Sequence, residues 1–249
     1  MSDEAADYPL GGSIAPPLRF VPVTEALSFL NPINRLPGFR AGWIGRLDGI
    51  EPTTDRDETL ARLRPLHEEI VARDFRTDRW WRAEQVHGKG VAAVPLPADQ
   101  MKMAGDGLPV VAGMDGLVTA APGELLGIYV ADCGAIWLAD RGTGAVGLLH
   151  SGKKGTELGI LGEAISQMKE RYGTKPEDLV VVLGPCIRPP HYEIDFAAEI
   201  GRQAREAGVG EFHDEGEDTA CDLTAHYSYR IEKGCTGRML ALIVREETP

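Results

Sequence analysis

Two imidazoles and one thiol stand at the edges of three apolar runs: His87 in EQVHGKGV, Cys133 in GIYVADCGAIWLAD and His150 in GAVGLLHSGKKGT. Each lies where a strand-like stretch meets a small-residue turn, a position where folds expose reactive groups. Two nitrogens and a sulfur suit zinc, and three protein ligands leave a fourth position for water or substrate. A metal-free alternative uses the same residues, with Cys133 as nucleophile and His150 or His87 as its base. Taken singly, each has an ordinary explanation as a hydrogen-bonded histidine or an inert buried thiol. Their shared placement, with Gly88, Gly134 and Gly152 removing bulk beside them, points to one site.

Around these three lie further polar residues. HSGKKGT opens a helix, where free backbone N–H groups with Lys153 or Lys154 can hold an anion. It lacks the GxxxxGK[ST] spacing of a P-loop. Lys154, Arg230 and Arg238 are the candidate anion-binding groups. In an alternating strand Asp132 faces away from Cys133, which makes it a hydrogen-bonding group behind the site or at the strand end. Asp115 in MDGLVT reads as a turn former, and DEGED (214–218) as a solvated loop. Cys186 and His191, in GPCIRPPHYEID, either enter the site or belong to a turn stiffened by two prolines. His67, His213 and His226 read as structural, the last two in polar surroundings.

The elements that must position these groups follow from periodicity. Strands are expected at Leu18–Val23, Ala41–Leu47, Glu84–His87, Val91–Val94, Asp115–Thr119, Leu125–Val130, Ala135–Leu138, Ala145–Leu149, Leu179–Leu183 and Met239–Val244, with a polar loop through Gly107. Thr54–Ala72 reads as a helix carrying Leu60, Leu63, Leu66 and Ile70 at helical spacing, capped by Thr54 or Asp55. Leu158–Tyr172 is a second helix, with Leu158, Leu161, Ile165 and Met168 on one stripe, and Phe196–Ala207 a third, stopped by Gly208. Strands gather in clusters with helices between them, which favours an α+β layered fold over a doubly wound sheet.

Composition bounds the rest. The 249 residues, 43% hydrophobic, suffice for a full core. Residues 1–18 read as an acidic, Pro/Gly-rich arm, and 19–249 as a single domain. The formal charge of −12, from 26 basic and 38 acidic side chains, disfavours an extended nucleic-acid partner. No apolar run reaches membrane-spanning length, and the N-terminus lacks a secretion-signal pattern, so a cytoplasmic protein without a membrane partner is expected. Four cysteines without a CxxC pair read as reduced thiols.

Several segments together resemble the bacterial laccase-domain (YfiH-like) family, also described as polyphenol oxidases, peptidoglycan editing factors and purine nucleoside phosphorylases. They are QVHG (85–88), DGLVTAAPG (115–123), ADCGAIWLAD (131–140), the turn beginning at His150, GPCIRPPHYEID (184–195), DLTA (222–225), YSYR (227–230) and TGRM (236–239). The resemblance implies a sandwich of two mixed β-sheets flanked by helices, with His87, Cys133 and His150 as metal ligands and Cys133 and His150 as catalytic residues. It implies zinc as the metal, with copper and polyphenol oxidation as the older assignment. The implied reaction is phosphorolysis of adenosine, inosine or methylthioadenosine, with adenosine deamination beside it, in a monomer or weak homodimer. A protein that keeps the metal for stability and serves cell-wall synthesis by binding is the alternative of another class. The sequence departs from the family pattern in the HSGKKG turn, where Lys153 and Lys154 replace Trp and Arg. It departs again in RPPHYE, with Arg188 and His191 in place of Gly and Cys, and in the short span between DLTA and YSYR.

Overall fold

The computed structural model describes residues 28–77 and 80–247. The expected strand Leu18–Val23 and the arm 1–18 lie outside them. In chain order the elements are α1 (Asn31–Asn34), β1 (Phe39–Ile44), α2 (Arg56–Phe75), β2 (Trp81–Arg82), β3 (Val91–Ala93), β4 (Met101–Met103), β5 (Pro109–Val111) and β6 (Gly116–Thr119). Then follow β7 (Leu126–Val130), β8 (Gly134–Asp140), β9 (Val146–Ser151), α3 (Lys153–Glu157), α4 (Ile160–Tyr172), β10 (Leu179–Leu183), α5 (Phe196–Glu206), β11 (Glu211–Asp214) and β12 (Met239–Arg245).

One sheet runs β1-β12-β7-β2 and the other β11-β10-β8-β9-β6-β3, with β4-β5 as a separate hairpin. Both large sheets are mixed: β2 is parallel to β7, β3 to β6 and β11 to β10, and the remaining pairs are antiparallel. This is the α+β sandwich expected. Strand periodicity explains why the runs are apolar throughout rather than alternating. On β8, Ala135, Trp137 and Ala139 face the other sheet, packing with Leu126, Ile128, Ala241 and Ile243. Ile136 and Leu138 point the opposite way, toward Ile160, Leu161, Met168, Phe196 and Ile200 of α4 and α5. The outer face of the smaller sheet, Ile44, Leu240 and Leu242, is covered by Leu60, Ile70 and Val71 of α2. Two sheets thus lie between two helical layers. Trp137 ties the sheets by donating its indole N–H to the Leu242 carbonyl at 2.9 Å.

Asp55 caps α2, its carboxylate accepting from the N–H groups of Asp57 and Glu58, both at 2.9 Å. Three expectations are corrected. The helix expected from Leu158 begins at Ile160: Leu158 closes α3, Gly159 at φ +77° separates α3 from α4, and Leu158 is exposed rather than part of the buried stripe. Glu84–His87 is not a strand: pairing with β7 stops after Arg82, Ala83 makes an isolated bridge to Val111, and Gln85 and His87 take left-handed backbone at φ 64° and 59°. The Gln85 side chain replaces the missing strand, its Oε1 accepting from Tyr129 N at 3.0 Å and its Nε2 donating to the Tyr129 carbonyl. The polar loop ending near Gly107 contains β4, and β11 is a mostly polar strand, EFHD, in which Phe212 alone packs toward the core.

Candidate functional site

Three chain segments deliver the donors. His87 sits in the turn after β2, Cys133 in the tight connection from β7 to β8, and His150 near the end of β9. β8 and β9 are paired with Ala135 opposite His150, which sets Cys133 beside that imidazole. The Nδ1 or Nε2 atoms of the two histidines and Sγ of Cys133 all lie within 4.8 Å of one another. The imidazoles meet edge to face, their centroids 4.7 Å apart. His150 is buried, Cys133 half-buried and His87 exposed, so the cluster spans from core to opening.

Asp115 organises the cluster, which corrects its reading as a turn former. It is fully buried at the start of β6. Its Oδ1 accepts from His87 N at 2.8 Å and from His150 Nδ1 at 2.9 Å, and its Oδ2 accepts from Gly88 N at 2.7 Å. One carboxylate therefore holds the left-handed His87 turn and fixes the His150 tautomer, leaving Nε2 toward the cluster. Burial alone would raise the Asp115 carboxyl; the His150 ring and the two backbone donors hold it below the ordinary value. Nothing in MDGLVT separates this aspartate from a common turn residue, because its partners are distant in sequence.

The thiol and imidazole polarise each other. Burial pushes Cys133 upward, but His150 and His87 outweigh it and bring the thiol down to about 6. Burial works against protonated His150, and the Cys133 sulfur with Asp115 reverses this, raising it to about 9. Near neutral pH the sulfur is a thiolate, the form that binds metal or attacks an electrophile. Gly152 is required for space, since a methyl there would lie 2.6 Å from Sγ. The donor set fits zinc: two nitrogens, one thiolate, and a buried carboxylate orienting one of the imidazoles.

Asp132 keeps the place expected of it. Its φ is 80°, and its carboxylate accepts from Thr219 Oγ1 at 2.8 Å and Arg230 N at 2.7 Å. It anchors the Cys133 turn and does not join the donors.

The cluster opens onto a cavity of about 880 Å³, within the range of small-molecule sites. Lys154, Arg230 and Arg238, the expected anion-binding groups, all line it, with Arg56, Lys153 and Lys233 beside them. Asp132 is the one carboxylate among its described lining residues, so a cationic pocket sits in a protein of net charge −12. Arg230 is partly engaged: Nη2 donates to Glu193 at 2.8 Å and the guanidinium lies over Tyr192, 4.9 Å from the ring centroid. Arg238 is fixed by Nη1 donating to the carbonyls of Thr236 and Gly237 at 3.1 and 2.7 Å. Burial, then the neighbouring Arg56 guanidinium, lower its affinity for its proton. Sequence reasoning missed Arg56, which reads as ordinary first-turn charge on α2. The helix opened by HSGKKGT is only Lys153–Glu157, so side-chain charge rather than a long helix dipole supplies the field.

The other candidates lie elsewhere. Cys186 is buried and raised to about 12 by that burial. His191 faces Asp218 and Cys221 instead. His67 is buried in α2 and held neutral, lowered to about 3 by burial and Arg82. His213 pairs with Glu211 at 3.4 Å. His226 is buried, its ring centroid 6.5 Å from that of Trp43 and its Nε2 3.0 Å from the Glu217 carboxylate. The DEGED loop is exposed, yet Asp214 grips Arg188 and Asp218 grips His191.

Residues 34–203 and 191–246 match the family described as multi-copper polyphenol oxidoreductase laccase. A protein of Geobacillus stearothermophilus named purine nucleoside phosphorylase YlmD is 31% identical over 231 residues, covering 80% of this chain and 83% of that protein. A purine nucleoside phosphorylase of Deinococcus radiodurans is 33% identical over 212 residues, covering 75% and 76%. The crystal structure of YlmD from Geobacillus stearothermophilus superposes with a TM-score of 0.70 at 28% identity, covering 87% of this chain and 94% of that one. No helix among the described residues is long and apolar enough to cross a membrane.

Proposed function

The chain belongs to the family of multi-copper polyphenol oxidoreductase laccases, and from that premise we propose that it is a zinc enzyme cleaving purine nucleosides with phosphate. The products are free base and ribose 1-phosphate, with inosine, adenosine and methylthioadenosine as substrates and adenosine deamination as a companion activity. The observation that carries this reading is the His87–Cys133–His150 cluster opening onto a cation-lined cavity. Two curated relatives bear the phosphorylase name, which supports an enzyme of this general type.

His87, Cys133 and His150 would hold the zinc, which when bound supplies Lewis acidity toward phosphate or water. The remaining work falls to this chain's own residues. Asp115 keeps His150 oriented through Nδ1 and so keeps Nε2 available as a donor. Lys154, Arg230 and Arg238, with Arg56, neutralise phosphate and hold it against the sugar. An anion between Arg56 and Arg238 relieves the repulsion of the two guanidiniums, so the pocket favours negative charge. Tyr192 and Tyr229 line the same cavity and offer flat apolar faces for a purine.

Incubation with inosine or adenosine, with and without phosphate, tests the proposal. Phosphate-dependent release of free base, absent in Cys133→Ala, is expected; no release above that control rejects it. The Cys133 thiolate beside protonated His150 also suits a metal-free cysteine hydrolase. Elemental analysis separates the two readings. Stoichiometric zinc that is lost in His87→Ala supports the metal enzyme, while metal-free protein with a singly alkylated Cys133 and intact turnover capacity before alkylation supports the hydrolase.

A further inference from the structure

A second group of metal-ligand side chains lies apart from the first. His191, in the turn after β10, faces Asp218 and Cys221 of the loop after β11, and one donor atom from each lies within 4.8 Å of the others. His191 Nδ1 is 2.8 Å from Asp218 Oδ2 and 3.9 Å from Cys221 Sγ. Two donors on a tetrahedral zinc, at bonds of about 2.0 and 2.3 Å, lie roughly 3.4–3.6 Å apart. The observed separations bracket that range, so small side-chain rotations would close the set. We infer that His191, Asp218 and Cys221 form a second site for a divalent cation of zinc's class, distinct from the His87–Cys133–His150 cluster.

The donor chemistry selects the ion. An imidazole, a thiol and a carboxylate favour zinc or a close analogue such as cobalt(II) over magnesium or calcium, which take all-oxygen shells. The backbone is already arranged for the purpose. Cys221 N donates to the Asp218 carbonyl at 3.0 Å, and Asp218 Oδ1 accepts from Ala220 N at 3.0 Å. Asp218 and Cys221 therefore sit on one tight turn, with Asp218 Oδ2 turned toward His191. His191 and Cys221 are exposed, which leaves the ion a path in and a coordination position for water. On binding, the Cys221 thiol releases its proton to solvent and His191 carries its remaining proton on Nε2, freeing Nδ1.

The site's place in the fold gives it a task. The loop carrying Asp218 docks on the segment carrying His191 through Cys186 N to the Glu217 carbonyl at 3.2 Å and Thr219 N to the Cys186 carbonyl at 3.3 Å. An ion between His191, Asp218 and Cys221 would clamp this ladder at its outer end. Two neighbours of the ligands belong to the cavity's construction: Tyr192 lines it, and Thr219 hydrogen-bonds to Asp132 at 2.8 Å, behind the Cys133 turn. The ion would thus brace the wall that carries Tyr192 without touching substrate.

Cobalt(II) and zinc titrations of the full chain test the inference, with Cys133→Ser used to remove the sulfur of the first cluster. A thiolate-to-cobalt absorption band should persist in Cys133→Ser and disappear in Cys133→Ser/Cys221→Ser and in Cys133→Ser/His191→Ala. Zinc retained after gel filtration should fall from roughly two equivalents in the parent protein to about one when Cys221 alone is replaced by Ser. Circular dichroism checks that the exposed substitutions leave the fold intact. Absence of the band in Cys133→Ser, or its survival when Cys221 is also removed, would overturn the assignment.

Discussion

Replacing Asp115 by Asn is the most discriminating perturbation of the site. The carboxylate accepts three hydrogen bonds, from His87 N, Gly88 N and His150 Nδ1, at 2.7–2.9 Å. The amide is the same size but has one acceptor oxygen, and its NH2 group would face a donor. At least one of the three donors is then unpaired, at about 1–3 kcal/mol. The left-handed His87 turn (φ 59°) loses part of its support as well, and such backbone costs of order 1–3 kcal/mol when nothing holds it. His87 and Gly88 are not fully buried and can recruit water, so the net cost is roughly 3 kcal/mol. For a chain of this length that lowers Tm by about 6–12 °C. The sign of the pH effect is fixed by the depressed carboxyl of Asp115. Its contribution is present above the unfolded-state value of 3.8 and is lost as pH falls through the lower folded-state value, so Asp115→Asn should flatten the acid limb of the stability profile. Zinc affinity should fall by about 10–100-fold, because the His150 tautomer is no longer fixed. Scanning calorimetry of metal-free protein and zinc competition with a chromophoric chelator measure both effects. A variant with parental Tm and parental zinc affinity would refute the role given to Asp115.

Three further outcomes follow from the same geometry. In metal-free protein the pH midpoint for alkylation of Cys133 should lie near the value of about 6 and move upward in His150→Gln, because burial then acts with less opposition; an unchanged midpoint would show that His150 does not govern the thiol. Gly152→Ala should lose metal while remaining folded, since its methyl would lie 2.6 Å from the Cys133 sulfur; elemental analysis and circular dichroism read the two effects separately. Arg238→Ala should raise KM for phosphate by about tenfold or more with a smaller change in KM for nucleoside, whereas Arg202→Ala, paired with Glu199 and Glu206 on the outer face of α5, should change neither.

The sequence by itself determined much of the scaffold and marked three donors that the fold brings together. Apolar runs such as Leu179–Leu183 and Met239–Val244 form strands because both of their faces are buried, one against the other sheet and one against helices. Cap and stripe placed α2 to within a few residues, and the positions of His87, Cys133 and His150 at the edges of apolar runs marked them as companions. What it did not reveal are the features built from contacts between distant segments. Asp115 became the organiser of two histidines through partners 28 and 35 residues away. Arg56 entered the cavity from the start of a helix that shows only ordinary surface charge. Gln85 replaced a strand with its side chain, an exchange no propensity encodes. Local pattern fixes which face of an element is apolar; only the packed sandwich decides which polar groups at its edges meet, because hydrogen bonds and charges act over a few ångströms of space and not along the chain.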